Sequence, residues 1–184
     1  MRKFYATLLV GLAVAASASP ASAQSTKSWG VMAGLGIGYG TVTEDSTREM
    51  EPTFNGGVFA ELPLSERWSF RPELKYDRRT INIGNIPTDV SYLSVPLLLT
   101  NKVWGIYFAQ GVSLNVVTSA EIFDVDFKDA YTSPDIALIV GAGKRFGRLG
   151  VEGRWETGFR TFQKDVPVGG TRLRTLTGVV SYHF

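Results

Sequence analysis

Between Trp68 and Asp77 the chain alternates without a break. Trp68, Phe70, Pro72, Leu74 and Tyr76 are apolar, whereas Ser69, Arg71, Glu73, Lys75 and Asp77 are polar or charged. A period of two puts these sets on opposite faces of an extended strand. A helix would scatter both around its circumference. The charged row also alternates in sign, so its ions need a complementary surface across from them. This stretch restricts the chain to a sheet with one apolar face and one ionic face.

The same period recurs. From Gly30 to Gly40, five of the six even positions are glycine, while Trp29, Val31, Ala33, Leu35, Ile37 and Tyr39 share the other face. A helix is a poor alternative there, because each glycine costs about 1 kcal/mol relative to alanine. Phe54, Gly56, Val58, Ala60 and Leu62 alternate with Asn55, Gly57, Phe59 and Glu61. Leu93, Val95, Leu97 and Leu99 oppose Tyr92, Ser94, Pro96 and Leu98, and Pro96, which lacks a ladder donor, predicts a bulge. Ile106, Phe108, Val112, Leu114 and Val116 form one face, with Gln110 a polar exception on it. Leu138, Val140 and Ala142 oppose Ala137, Ile139, Gly141, Gly143 and Arg145. Leu149, Val151, Gly153, Trp155, Thr157 and Phe159 oppose Glu152, Arg154, Glu156, Gly158 and Arg160. Leu176, Gly178, Val180, Tyr182 and Phe184 oppose Thr175, Thr177, Val179, Ser181 and His183.

These segments predict about eight strands, each near the ~9–11 residues that cross a bilayer when tilted. The connections alternate in length. Long polar stretches are expected at 41–53, 80–89, 118–135 and 161–172, and short turns at 63–67, 101–103 and 147–148. Long outer loops and short periplasmic turns are the layout of an outer-membrane barrel. The fold expected is an all-β, antiparallel, up-and-down transmembrane barrel.

The N-terminal residues support export. Arg2 and Lys3 precede an apolar run from Phe4 to Ala16, and Ala21-Ser22-Ala23 fits a cleavage site. Residues 1–23 are expected to be a signal peptide cleaved after Ala23, with the barrel domain spanning 24–184. Removing Arg2 and Lys3 takes the formal charge from +2 to zero, which leaves no basic bias toward nucleic acid. The absence of cysteine excludes disulfides and thiolate metal sites. No later stretch approaches the ~18 apolar residues of a membrane helix.

Period alone leaves the polarity open, since a soluble lipocalin-like barrel is apolar inside. Three features favour a membrane barrel. The bare glycine face suits a crowded lumen. The alternating charges of Arg71–Asp77 match those of Glu152, Arg154, Glu156 and Arg160. Trp29, Tyr39, Trp68, Tyr76 and Tyr182 sit near strand ends on the apolar face, as interface girdles do.

Several segments resemble the PorT-like outer-membrane β-barrel domain family. Ser91–Lys102 (SYLSVPLLLTNK) resembles its Tyr-Leu-x-Ile/Val-Pro-Leu-Leu-Leu segment. Tyr107–Leu114 (YFAQGVSL) resembles its aromatic-x-x-x-Gly-Pro-x-Leu strand, with Val112 where proline is usual. Asp135–Gly147 resembles its Gly-x-Gly hairpin, and Val151–Phe159 its Glu-x-Arg-Trp/Tyr-x-x-Gly strand. Tyr182 and Phe184 resemble the C-terminal signal read by the barrel-assembly machinery. The resemblance implies a small barrel in the outer membrane of diderm bacteria. Its motifs are structural and imply no activity.

The lumen charges expected are Glu61, Arg71, Glu73, Lys75, Asp77, Glu152, Arg154, Glu156 and Arg160. They read as a plug-like structural network, because an eight-strand barrel is just wide enough for side chains to fill. A narrow channel or a small-ligand conduit is the alternative. Ser181 and His183 share a face and suggest a lipid-modifying hydrolase, but no acid completes an evident triad, and the strand ends at the periplasmic rim. Asp124, Asp126 and Asp129 lack the glycine and the terminal glutamate of a calcium loop. Gly141–Lys144 satisfies neither phosphate-loop pattern. No catalytic residue, metal or cofactor is expected, and the partners expected are outer-membrane lipid and the assembly machinery, with a surface partner through the loops left open.

Overall fold

The computed structural model describes residues 27–41, 50–83, 86–122, 125–126, 134–159 and 172–184. The expected signal peptide and Arg160 lie outside them. The strands are β1 (Ser28–Thr41), β2 (Glu51–Pro63), β3 (Trp68–Ile83), β4 (Ile86–Val103), β5 (Ile106–Ile122), β6 (Val125–Asp126), β7 (Asp135–Phe146), β8 (Leu149–Gly158) and β9 (Arg172–His183). Each pairs antiparallel with its neighbours in the order β4-β3-β2-β1-β9-β8-β7-β5, and a β4–β5 pairing closes the ring. The two residues of β6 pair only with the far end of β5. The barrel therefore has eight strands, and closure leaves none of them with an open edge.

The apolar rows face outward. Trp29, Leu35, Phe108, Leu176 and Val180 are each more than half exposed. On β3 the apolar outward row runs from Trp68 to Tyr76, nine residues, which matches the ~9–11 needed to cross a bilayer. The polar rows are buried: Arg71, Glu73, Lys75, Asp77, Glu152, Arg154 and Glu156 all face the lumen. The glycines of β1 face it too. A Cβ on Gly30 would lie 2.5 Å from the Phe59 ring, so the bare backbone admits a large inward neighbour. Gly143 serves Tyr107 in the same way, at 2.6 Å.

Three local expectations are corrected. The bulge falls not at Pro96 but on β5, where Ser91 pairs with Ser119 and Tyr92 with Val117, leaving Thr118 as the extra residue. Pro96 keeps its register with Ser113, and its effect is instead an interruption of the β3–β4 ladder between the Pro72–Leu97 and Lys75–Ser94 pairs. A missing donor removes a rung without needing an inserted residue. Residues 80–83 and 86–89 are paired strand and not loop. Pairing continues from Thr80–Asp89 to Ile83–Ile86, through β-branched residues that suit strands. The β4–β5 turn is Trp104–Gly105 rather than 101–103. Both residues have positive φ, 51° and 78°, as a type I′ hairpin turn requires.

Candidate functional site

In a ring of eight, β3 and β8 stand four strands apart in either direction. Their inward rows therefore face each other across the full lumen. Between them, β1, β2 and β9 contribute one apolar wall of Met32, Phe59 and Val179. On the other side β4, β5 and β7 contribute Leu98, Ala109 and Ile139. The charged rows form a slab between these walls.

Two ionic layers make up the slab. In the first, Arg154 grips Glu73 through two parallel N–H···O bonds of 2.7 Å and Glu152 through its Nε at 2.6 Å. Arg71 completes a square, its Nη2 donating to Glu152 at 2.7 Å and its Nε lying 2.9 Å from Glu73. The Tyr107 hydroxyl donates to Glu152 at 3.0 Å. In the second layer, Lys75 lies 3.2 Å from Glu156 and 3.3 Å from Asp77. Arg79 donates to Glu156 at 3.0 Å, as does the Asn115 amide at 3.2 Å, and the Ser94 hydroxyl donates to Asp77 at 2.7 Å. Each layer holds two cations and two anions, so each is neutral. A buried ion needs such partners, because an unpaired one costs several kcal/mol.

Three cross-lumen pairs, Arg71–Glu152, Glu73–Arg154 and Lys75–Glu156, are each separated by 81 positions, and Arg79–Glu156, separated by 77, adds a fourth. Both strands run from the short-turn rim toward the long-loop rim, so their alternating signs mesh in one register. A slip of two residues would set like charges against each other. The sign pattern therefore selects the closure of the barrel as well as filling it.

Glu61 stands apart from the slab. It lies at the short-turn mouth, 3.6 Å from both Lys102 and Arg145 and 3.8 Å from His183 Nδ1. Sequence reasoning missed Arg79, Ser94, Tyr107, Asn115, Lys102 and Arg145 as members of these clusters. Arg79 follows Asp77 by two positions, so extending the period would have found it. The others depend on which strands meet in the closed ring, which no local pattern encodes. Ser181 and His183 are both buried in the lumen near the short-turn rim, and no hydrogen bond joins them among the described residues. Gly141–Lys144 lies within β7. Asp124 and Asp129 lie outside the described residues, as does the side chain of Asp126.

A match to the outer membrane protein beta-barrel domain family covers residues 22–163. The chain belongs to this family. Membership agrees with the closed barrel and its outward apolar band, and it gives the protein an outer-membrane location. Two solved structures share the fold. Neisserial surface protein A is 14% identical, with a TM-score of 0.57, over 87% of this chain and all of that one. The attachment invasion locus protein Ail of Yersinia pestis, solved with the heparin analogue sucrose octasulfate, is 13% identical, with a TM-score of 0.55 over the same shares. No curated protein matches the sequence.

Proposed function

We propose that this protein is a structural and interaction barrel of the outer membrane, with a lumen closed by its own side chains, loops presented at the cell surface, and no catalysis. The two neutral ion layers spanning the lumen from β3 to β8 carry this reading, since buried charged groups in contact at 2.6–3.3 Å support a lumen filled by its own side chains. The strand ends at Thr41, Glu51, Gly158 and Arg172 lie at the rim opposite the short turns, which is the surface-facing rim in this reading. In this reading Tyr182 and Phe184 serve as the signal to the assembly machinery and residues 1–23 as the cleaved export signal, and the PorT-like segments support a PorT-like branch of the family.

Passage of a small solute is the second reading. It draws on the looser mouth, where Glu61 meets Lys102 and Arg145 only at 3.6 Å. Planar-bilayer recording of the refolded chain separates the two. A closed lumen gives no steady conductance, whereas Arg71→Ala combined with Arg154→Ala opens a measurable leak. Stable ohmic steps from the unmodified chain would overturn the structural reading in favour of transport.

A further inference from the structure

The outer wall formed by β7, β8, β9 and β1 carries an unusual edge at the short-turn rim. Lys144 and Phe146 are consecutive outward residues of β7, and Lys144 is the one further from the rim. Its Nζ lies 5.4 Å from the Phe146 ring centroid, so the stem runs back toward the rim along the ring. Arg148 occupies the Gly147–Arg148 turn. Its carbonyl accepts the His183 N–H at 2.8 Å, and its guanidinium donates to the Tyr182 hydroxyl at 3.3 Å. Phe146 is paired with Leu149, and Leu149 with Tyr182. Phe184 packs edge-on against Tyr182 at 5.3 Å and stacks on Trp29 at 4.2 Å. Phe146, Leu149, Phe184 and Trp29 are all more than half exposed.

An outward cation at the edge of a bilayer wall is stabilised by reaching interfacial water or by an anionic partner. At the opposite rim, outward Arg78 has one in Asp89, at 2.6 Å. Among the described residues Lys144 has no such partner. No aspartate or glutamate side chain of the described residues faces outward on these four strands. Glu152 and Glu156 are buried in the lumen, Asp135 lies at the far end of β7, and β1 and β9 contain no acidic residue. The short-turn rim as a whole is basic, with Lys27, Arg67, Lys102, Lys144, Arg145 and Arg148 against Glu61 and Glu66.

We propose that this edge binds the headgroup of an anionic phospholipid of the adjoining leaflet. The headgroup lies over Leu149, with Lys144 and Phe146 on its β7 side and Arg148 and Tyr182 on its β9 side. The acyl chains lie along Val151, Val180 and Val31, which continue the same outward wall. Fixed cations at the depth of an aromatic belt suit this chemistry, because attraction to an anionic surface adds to apolar contact. The site rests on the outer-membrane placement and not on the closed lumen, so bilayer conductance has no bearing on it.

The full chain, refolded into mixed phosphatidylcholine and phosphatidylglycerol vesicles, is extracted and the lipids it retains are read by native mass spectrometry. Phosphatidylglycerol is expected to be enriched about 10-fold over its share of the vesicle. K144Q combined with R148Q abolishes the enrichment, while R67Q, on another turn of the same rim, preserves it. Circular dichroism checks that both variants fold. No enrichment by the unmodified chain at low salt overturns the site, whatever the variants do. Equal loss in R67Q also overturns it, because the attraction would then belong to the whole basic rim.

Discussion

Arg154 shows how the lumen is held at the residue scale. It satisfies two carboxylates at once, one of them by a bidentate fork, and this geometry makes arginine irreplaceable by lysine here. Deleting one partner of such a pair leaves the other buried and unpaired, which costs about 3–5 kcal/mol. Glu73→Leu and Arg154→Met should each destabilise the barrel by roughly that amount. The double substitution should cost much less than the sum of the two, since Arg71 and Glu152 still neutralise each other. Urea unfolding of vesicle-inserted protein measures all four corners of this cycle. Additive losses would mean that the two residues do not act as a pair. The alternation of charge from Arg71 to Asp77 is legible in the sequence; the partner that each charge meets is not.

At the scale of the element, the β3–β4 hairpin extends beyond the apolar band. Arg78 and Thr80 both donate to Asp89 there, at 2.6 and 2.8 Å. These hydrogen bonds, that from Arg78 foremost, hold the Asp89 carboxyl below its usual range. A depressed folded pKa contributes stability above the unfolded value, near ~3.9, and loses it as the pH falls through the lowered one. The pair is largely exposed, so its contribution is below about 1 kcal/mol. Asp89→Asn should therefore lower the protection of the hairpin amides against hydrogen exchange at about pH 6, with the deficit shrinking toward about pH 2. A deficit independent of pH would assign the effect to packing. Reading 80–89 as a loop follows from treating it as a polar stretch between two apolar strands. What the local pattern omits is the β-branched pairing that carries both strands to within two residues of each other.

For the whole molecule, closure is the governing fact. Every barrel strand is hydrogen-bonded on both sides, and β3 is tied to β8 through the lumen, so no strand can leave without breaking several ladders and an ion layer. The barrel should resist sodium dodecyl sulfate at room temperature, run faster than the boiled chain on a gel, and lose its β-sheet dichroism in one transition at the temperature where the fast band disappears. Gradual loss of dichroism ahead of that band shift would indicate strands that melt independently. The basic short-turn rim and the aromatic wall beside it also emerge only at this scale, because Trp29, Phe146, Tyr182 and Phe184 come from three separate segments of the chain.

The strands, their two faces and the alternation of their charges are legible in the sequence, because side-chain direction in an extended chain depends only on parity. The sequence also marked the interior as small on one strand and ionic on two others. The tertiary structure decided which rows meet. Closure into eight places β3 opposite β8 and β1 opposite β5. That geometry turns two local charge patterns into one neutral slab, and it leaves Glu61 to a separate cluster at the mouth. The positions of the bulge and the turns were likewise tertiary outcomes. They depend on how neighbouring strands share their hydrogen bonds around a closed ring, and no single strand carries that information.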